Sequence, residues 1–391
     1  MKGLLLINLG SPDSTSISDV KKYLDEFLMD KRVIGKSYIF RWILVKLIIL
    51  NFRPKKSAKA YKKIWWKEGS PLIVLSRRLF KKVSDYLSIP VSLAMRYGSI
   101  SIHNGLKELN SKGVTEFIVL PLYPHYAMSS YETVVEKVKE EVKINFPNKD
   151  IKVIEPFYKD SNYIKLLSDK IKETISDIHY DHILFSYHGI PVSHLKISDP
   201  TNSHCYKKNN CCSIDSEAHK TCYKHQVIVT TELVAKYLDL EENKYSVSFQ
   251  SRLANEPWLK PYTDSELERL AKDGKKNLVI VTPAFVTDCL ETLEEIVMEG
   301  KEECIVRGEI KRDFQLSRVG VPRSRSGVLE IRINGEKILR SSELALCLPT
   351  IVLGPDSINL LIGSPVRRRS FMNWGTFHVE PLFKEVWERA N

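Results

Sequence analysis

Short apolar runs alternate with longer stretches of helical periodicity through most of this 391-residue chain. The runs are four to six residues long, which is typical of strands that are buried on both faces of a parallel sheet. The predicted strands are Leu4–Asn8, Val91–Met95, Phe117–Leu122, Ile151–Glu155, Ile183–Ser186, Tyr245–Phe249 and Leu278–Val281.

Helical periodicity fills the intervals between these strands. The predicted helices are Val20–Leu28, Leu72–Leu87, Ile102–Leu109, Tyr131–Val142, Tyr163–Ile175, Val227–Tyr237 and Asp264–Ala271. Strands separated by helices of this length indicate βαβ units and a parallel sheet. We therefore predict an α/β fold with two similar domains, residues 1–157 and 158–303, that face each other across a cleft.

Two predicted strands end beside side chains that can bind metal or accept protons. His188 follows the strand Ile183–Ser186, and Glu291 follows the strand Leu278–Val281 at the start of an acidic helix. Ligands of open parallel sheets bind beyond the carboxyl ends of the strands, so these two residues are candidates for one shared site. A neutral imidazole is both a metal ligand and a base near physiological pH. The alternative for His188 is a ring that only hydrogen-bonds a loop carbonyl.

Glu291 also has a purely structural interpretation. Asp288 and Glu291 have the spacing of a capping box, in which the Glu side chain returns to the amide of the cap residue. Glu291, Glu295 and Glu299 share one helical face, however. A carboxylate ladder leading from a cleft could pass a hydrated divalent cation or accept protons, or it could be a solvated face.

The strand ends also carry large apolar side chains. Ring faces with isolated polar groups suit a flat, apolar ligand, although each such residue, taken singly, is more often a core residue. These side chains are Met95, Tyr97, Tyr123, Tyr126, Trp258 and Phe285.

Four of the seven cysteines lie within 18 residues of polar sequence: Cys205, Cys211, Cys212 and Cys222. Four thiolates close in sequence can hold zinc or a [2Fe–2S] cluster. The adjacent pair Cys211-Cys212 is unusual for zinc, for which Cys-x-x-Cys spacing prevails. Four unrelated free thiols are the remaining alternative.

Composition narrows the class of protein. A hydrophobic content of 43% and a charged content of 27% are those of a soluble globular protein. The net charge of +11 favours anionic partners, but the basic residues form no dense block, so nucleic acid is not a predicted partner. No Gly-x-Gly-x-x-Gly or Walker-type loop is present, which argues against a nucleotide enzyme.

The predicted location is the cytoplasm, because Met1-Lys2-Gly3 leads directly into a strand with no signal peptide. Residues 39–52 are the most membrane-like stretch, but Arg41 and Lys46 interrupt it and it is too short to span a bilayer. It is either a core helix or a lip that touches the membrane surface, which would make the protein peripheral at the inner membrane.

Several spaced motifs together resemble the ferrochelatase family, whose members insert ferrous iron into a porphyrin. They are Phe185-Ser186-Tyr187-His188-Gly189-Ile190-Pro191, Phe249-Gln250-Ser251-Arg252 with Trp258-Leu259, and Pro283-Ala284-Phe285 through Asp288-Cys289-Leu290-Glu291-Thr292-Leu293. Supporting matches are Asn8-Leu9-Gly10-Ser11-Pro12, the segment from Phe27 to Ile34, Gly69-Ser70-Pro71, Met95-Arg96-Tyr97 and Pro121-Leu122-Tyr123-Pro124. The resemblance covers residues 1 to about 303 in the family's order.

The resemblance implies two Rossmann-like domains with the porphyrin in the cleft between them. It implies that Fe²⁺ enters protoporphyrin IX to form haem with release of two protons. His188 and Glu291 would form the metal-site pair, and Glu295 would lie behind them on a path for protons or metal. The implied porphyrin pocket comprises Met95, Arg96, Tyr97, Tyr123, Ser251, Trp258 and Phe285.

Some ferrochelatases carry an internal four-cysteine segment after the His-Gly motif that binds a [2Fe–2S] cluster. Cys205, Cys211, Cys212 and Cys222, in the insert 204–225, match that placement. Two alternatives to a ferrochelatase are a cobalt chelatase of corrin synthesis and a non-catalytic porphyrin or haem carrier. The protein is expected to be a monomer or a homodimer.

Residues 304–391 depart from the family. Up to residue 303 the chain has 37 Lys and 8 Arg, whereas from residue 304 onward it has 3 Lys and 11 Arg. This switch indicates foreign or frame-shifted sequence rather than an evolved domain. Within this tail, Val328 to Leu339 has the pattern of a hairpin with an Asn-Gly turn.

Overall fold

The computed structural model describes residues 1–251, 256–293 and 296, together with four strands within 306–312, 315–321, 331–333 and 336–338. The chain divides into two compact units, Met1–Met298 and Glu299–Asn391. The first unit contains two parallel sheets with their helices, and these position the candidate site.

The first sheet has four parallel strands in the order β2-β1-β3-β4. The strands are β1 (Lys2–Asn8), β2 (Val91–Met95), β3 (Glu116–Pro121) and β4 (Asp150–Val153). The helices in the same part of the chain are α1 (Ile17–Leu28), α2 (Tyr38–Trp42), α3 (Leu50–Ile64), α4 (Pro71–Tyr86), α5 (Ile102–Ser111) and α6 (Thr133–Asn145).

Central strand β1 explains why helices cover both faces of this sheet. Successive side chains of a strand point to opposite faces. Leu5 and Ile7 pack with residues of α5 and α6, whereas Leu4 and Leu6 pack with residues of α4. The strand is apolar at every one of these positions because neither face meets solvent.

The second sheet has three parallel strands in the order β6-β5-β7. These are β5 (His182–His188), β6 (Tyr245–Gln250) and β7 (Leu278–Val281). The helices here are α7 (Ser161–Ile175), α8 (Val192–Ile197), α9 (Tyr223–Tyr237) and α10 (Thr263–Lys272). Ile183 and Phe185 of β5 are fully buried in one core cluster with side chains of α7 and α9.

All seven predicted strands and all seven predicted helices are present, with ends shifted by at most four residues. The predicted α/β class with parallel sheets is confirmed. The predicted domain boundary at residue 157 lies between β4 and α7, and both sheets belong to the compact unit Met1–Met298.

The pattern did not predict a continuous helical region from Tyr38 to Ile64, in which a π-helical segment, Ile43–Ile49, joins α2 to α3. Val45, Leu50, Ala58 and other buried side chains of this region pack against α1. Its opposite face is apolar and exposed, at Tyr38, Ile39, Phe40, Trp42, Ile43, Leu47, Ile48 and Phe52. In the part of the chain that the structure describes, no helix is long and apolar enough to cross a membrane.

The second unit contains an antiparallel sheet in the order β11-β10-β9-β8. Its strands are β8 (Val306–Arg312), β9 (Gln315–Val321), β10 (Ile331–Ile333) and β11 (Glu336–Ile338). Ile333 pairs with Glu336, so two residues, Asn334 and Gly335, connect the last two strands. The predicted antiparallel pairing of these two strands is confirmed, and the Asn-Gly turn itself lies outside the described residues.

Candidate active site

A cavity of about 840 Å³, including its open mouth, lies at the carboxyl ends of the parallel strands. His188 is the last residue of β5, Asn8 is the last residue of β1, and Tyr123 follows β3. Glu291 and Phe285 reach the same cavity from the segment after β7. The strand ends therefore bring together four of the sequence-predicted site residues: His188, Glu291, Tyr123 and Phe285.

Hydrogen bonding fixes the chemical state of the His188 ring. Its Nδ1 lies 2.6 Å from the carbonyl oxygen of Gly189, and because a carbonyl can only accept, Nδ1 carries the proton. The Nε2 lone pair of a neutral His188 is then the atom available as a base or metal ligand. The alternative interpretation, in which the His188 ring only hydrogen-bonds a loop carbonyl, explains the role of Nδ1. It leaves the role of Nε2 unexplained.

At two strand ends, a glycine allows two backbone segments to approach each other closely. A Cβ on Gly189 would lie 2.9 Å from the carbonyl oxygen of Gln250, so only glycine lets β5 and β6 end this close together. Gly10 has a φ of +110°, and a Cβ there would lie 2.0 Å from the carbonyl oxygen of Tyr97. Both positions need glycine for backbone packing beside the cavity.

Thr292, rather than Glu291, makes the capping interaction at the start of the acidic helix. The Cys289 amide donates to the Thr292 hydroxyl at 3.0 Å, and that hydroxyl donates to the Asp288 carboxylate at 3.0 Å. The alternative of a capping-box role for Glu291 needs a bond to the Asp288 amide, whereas the bond at this helix start is between Thr292 and the Cys289 amide; Glu291 itself lines the cavity. Glu295 and Glu299 lie outside the described residues.

Two buried tyrosines interact with the Glu291 carboxylate. Burial, the neighbouring Tyr61 and the Glu291 charge raise the pKa of Tyr23 well above its usual value. Burial and the Glu291 charge do the same to the pKa of Tyr61. Both phenols stay protonated, and the Tyr23 hydroxyl donates its proton to the Gly10 carbonyl at 3.2 Å.

Apolar and aromatic side chains form much of the cavity wall. Phe285 lies edge-on to His188 with ring centroids 6.4 Å apart. Phe27, which the sequence analysis did not single out, lines the cavity and packs edge-to-face on Tyr97 at 5.2 Å. Rings of this kind with a few polar groups suit a flat, apolar ligand.

Five of the predicted porphyrin-pocket residues are not among the residues that line this cavity: Met95, Arg96, Tyr97, Ser251 and Trp258. Met95 packs behind Leu72 and Cys289, both of which line it. The Trp258 ring lies close to Gly189, and the backbones of Trp258 and Pro191 form an isolated antiparallel β-bridge. These side chains support the wall from behind.

Arg96 and Tyr97 belong to a buried polar network around Asp30. Arg96 donates to the Asp30 carboxylate at 2.6 Å and the Tyr97 hydroxyl donates to it at 2.9 Å. Burial acts to raise the pKa of Asp30, but hydrogen bonds from Thr133 and its other neighbours hold that pKa below its usual value. The carboxylate therefore stays ionised and fixes both residues.

Sequence reasoning did not single out His125, which lines the cavity beyond β3. The Thr230 hydroxyl donates its proton to the Tyr158 carbonyl, so it accepts at 2.9 Å from Nε2–H of His125. Nδ1 of His125 then carries a lone pair and has no hydrogen-bond partner among the described residues. Burial lowers the pKa of His125 to about 3, so the ring is neutral. Its place at a strand end was the signal that could have identified it.

The four cysteines of the 204–225 insert gather into one cluster of free thiols. Side-chain contacts join Cys205 to Cys222, Cys222 to Cys212, and Cys212 to Cys211. In residues 1–251, 256–293 and 296, no three potential ligands converge on a position for a single metal ion. A binuclear iron–sulfur cluster needs four thiolates spread over two irons, and this donor set fits it.

Hydrogen bonds donated by three histidines and hydrogen bonds accepted by one carboxylate hold this insert in place. His204 and His219 donate to the Cys211 carbonyl at 2.6 and 3.1 Å, and His225 donates to the Cys212 carbonyl at 2.9 Å. The Asp199 carboxylate accepts from the amides of His204 and Cys205. The thiol groups therefore lie in a segment with a defined backbone.

The family model and the curated relatives that match this sequence name one family. The ferrochelatase family model matches residues 1–313. The chain is 50% identical to a ferrochelatase of Opitutus terrae over 310 residues, which is 78% of this chain and 90% of that protein. It is 46% identical to a ferrochelatase of Pseudomonas fluorescens over 302 residues, covering 77% and 88% of the two chains. A solved structure of SirB from Bacillus subtilis with Fe3+ is similar with a TM-score of 0.44 and 14% identity, covering 77% of this chain and 82% of SirB.

Proposed function

The chain belongs to the ferrochelatase family, and we propose that it inserts ferrous iron into a porphyrin to form haem, with release of two protons. Protoporphyrin IX is the proposed substrate because its metallation gives haem directly. The observation that supports this proposal is that His188 and Glu291, about a hundred residues apart in sequence, line one cavity with an aromatic wall.

His188 acts through Nε2 in this proposal. Two pyrrole protons must leave while iron enters the macrocycle, and a bent porphyrin exposes its nitrogen lone pairs better than a planar one. The bond from Nδ1 to Gly189 keeps the ring in one tautomer, with the Nε2 lone pair free. The Nε2 lone pair cannot bind iron and accept a pyrrole proton at the same time. His188 must therefore perform these two roles one after the other, or another group of the site performs one of them.

Glu291 supplies the negative charge of the site. A carboxylate oxygen is a suitable ligand for hydrated ferrous iron and a suitable acceptor for protons leaving the macrocycle. Together with burial, the charge of this carboxylate keeps the phenols of Tyr23 and Tyr61 protonated. We propose Glu295 as the next carboxylate on the path for protons or metal.

Tyr123 and Phe285, with Phe27, are the proposed contacts of the macrocycle inside the cavity. Met95, Tyr97 and Trp258 are proposed to support them from behind, while Arg96 and Ser251 complete the predicted porphyrin-binding set.

Replacing His188 by Ala tests the catalytic proposal. We expect His188→Ala to abolish metal insertion, because no other group takes the Nε2 position, while porphyrin affinity stays within about threefold. Insertion of iron or zinc is followed by the visible spectrum, and porphyrin binding by fluorescence quenching. His179→Ala, at an exposed histidine, is the control. Retained turnover in His188→Ala would contradict its role, and a parent protein that binds porphyrin but forms no metalloporphyrin would be a carrier.

Cys205, Cys211, Cys212 and Cys222 are the proposed ligands of a [2Fe–2S] cluster. Such a cluster supplies a one-electron couple and a cross-link between distant parts of the segment. Anaerobically purified protein should show iron–sulfur absorbance that Cys212→Ser removes and Ser213→Ala leaves unchanged. Colourless, iron-free protein would contradict the proposal.

Peripheral membrane contact on the cytoplasmic side is proposed for the exposed apolar face of residues 38–52. Its large side chains include Ile39 and Phe52, which are 72% and 78% exposed. The net charge of +11 adds attraction to anionic headgroups. We expect the double variant Ile39→Asp/Phe52→Asp to lose cosedimentation with phosphatidylglycerol vesicles, and Ile144→Asp, at an exposed residue of α6, to retain it. Sedimentation velocity distinguishes a monomer from a homodimer, the two oligomeric states expected from the sequence.

A further inference from the structure

The first turn of α9 contacts both the four-cysteine insert and the cavity. Cys222 is the residue that precedes this helix, and Tyr223 is the first helical residue. The Tyr223 side chain is buried and lines the cavity. Its hydroxyl donates to the main-chain carbonyl of His188 at 2.9 Å.

Gln226, one turn further along α9, also connects the four-cysteine insert with the loops beside the cavity. Its amide nitrogen donates to the carbonyl oxygens of His219 and Lys220 at 3.2 and 2.9 Å, which lie in the cysteine insert. Its amide oxygen accepts from the backbone N–H of Tyr126, at 2.7 Å, in the loop after β3. The side chain is fully buried, so these three bonds have no competition from bulk water.

The ring of Tyr223 is held from the side as well. His125 packs edge-to-face against it with centroids 5.9 Å apart, and His125 is itself bonded to Thr230 on α9. Burial raises the pKa of Tyr223, so its hydroxyl keeps its proton and can donate it to the His188 carbonyl. The orientation of this tyrosine therefore depends on where the start of α9 lies.

We propose that Tyr223 is a positioning residue for His188, and that the four-cysteine insert fixes the position of Tyr223 through Cys222. A cluster bound by Cys222 would anchor the residue adjacent to Tyr223, and the Tyr223 hydroxyl would in turn anchor the end of β5. The effect is geometric: the hydrogen bond holds the His188 backbone, and the ring of His188 faces the substrate. This inference rests on the proposed function and on the proposed cluster.

Tyr223→Phe tests the first half of the inference, because it removes one hydroxyl and keeps the ring. We expect kcat for metal insertion to fall about threefold to tenfold, as the loss of a single neutral hydrogen bond at the reacting group predicts. The KM for porphyrin, the iron–sulfur absorbance and the thermal unfolding midpoint should stay close to those of the parent. A role limited to stability would lower the unfolding midpoint and leave kcat unchanged.

Tyr237→Phe is the matched control on the same helix. Its hydroxyl donates to the Asp169 carboxylate at 3.1 Å on the exposed surface, far along α9 from the cavity. This variant removes the same chemical group and should leave kcat unchanged. Equal kcat values for Tyr223→Phe and the parent would overturn the inference.

A double-mutant cycle with Cys222→Ser tests the second half. If the cluster acts on His188 through Tyr223, the hydroxyl matters less once the anchor is gone, and Tyr223→Phe should change kcat by less than about twofold in the Cys222→Ser background. An equal fold-loss in both backgrounds would overturn the coupling, as would a parent protein with no iron–sulfur absorbance. A parent that inserts no metal overturns the proposed function and this inference together, whereas an active parent with an unchanged Tyr223→Phe variant overturns the inference alone.

Discussion

Two imidazoles of the cavity are held in opposite tautomers by their hydrogen bonds. His188 donates from Nδ1 to a main-chain carbonyl, and His125 donates from Nε2 to a hydroxyl. A strand-end position in the sequence could identify His188 as a candidate, but it could not show which nitrogen is free. That assignment needs the partner of each nitrogen, and for His125 the partner is 105 residues away in the chain.

Burial of His125 predicts a pH dependence of stability. Its pKa is about 3 in the folded protein and about 6.5 when the chain is unfolded. Between these values the unfolded chain binds the extra proton, so stability is lost as the pH falls below 6.5. This one residue should cost about 2 kcal/mol of unfolding free energy between pH 6.5 and pH 4.5.

His125→Gln keeps an N–H donor for Thr230 and removes the titration. Urea unfolding at several pH values should therefore give a shallower acid decline for His125→Gln than for the parent. His179→Gln, at an exposed position, should decline as the parent does. Parallel curves for the parent and His125→Gln would contradict the neutral, buried state of the ring.

Other residue-scale features could not be predicted because their partners are distant. Arg96 and Tyr97 follow a strand, which favoured a role in ligand binding, but both bond to Asp30, which lies 66 and 67 residues earlier. Glu291 has capping-box spacing, but the side chain that accepts from an amide at this helix start is that of Thr292, whose hydroxyl bonds the Cys289 amide. Spacing in the sequence shows that an interaction is possible, but it does not show which side chain makes that interaction in the folded protein.

At the scale of elements, the apolar runs predicted all seven parallel strands. The prediction was clearest for β1 and β5, which are buried at almost every position and therefore need continuous apolar residues. Helical periodicity did less well for the region from Tyr38 to Ile64. Its first half, residues 38–52, is apolar on the exposed face as well as on the buried face, so the pattern there has no polar side from which to read a helix. The four-cysteine insert has no hydrophobic periodicity from which to predict its backbone. Hydrogen bonds between side chains and the backbone organise this segment, rather than a periodic apolar face.

Asp199 is the residue on which the backbone of that insert most depends. Its carboxylate accepts from the amides of Thr201, His204 and Cys205 and from the Thr201 hydroxyl. Burial acts to raise the pKa of Asp199, but these donors hold it well below its usual value. Asp199→Asn would turn an amide N–H₂ group toward two backbone donors, so we expect iron bound per chain to fall at least twofold.

Iron content and visible absorbance of purified Asp199→Asn measure this effect directly. Asp215→Asn is the control, because it makes the same charge change at an exposed position of the same insert and should leave iron content unchanged. Full iron occupancy in Asp199→Asn would show that the cysteine ligands need no help from this carboxylate.

At the scale of the whole molecule, the described residues that line the cavity all lie between Asn8 and Glu291. They belong to the compact unit Met1–Met298, and the family match ends at residue 313. The Lys-to-Arg switch separates the tail from the rest of the chain at nearly the same place. Position, family match and composition therefore all assign the proposed chemistry to the first unit.

A chain that ends at residue 313 should keep porphyrin affinity and insertion kcat within about twofold of the full chain. The reason is that no described lining residue is removed, since all of them belong to the compact unit Met1–Met298. Calorimetry of the full chain should show one transition that the shorter chain retains at a similar temperature. A more than tenfold loss of kcat, with that transition unchanged, would show that the tail supplies part of the active site rather than an appended structure.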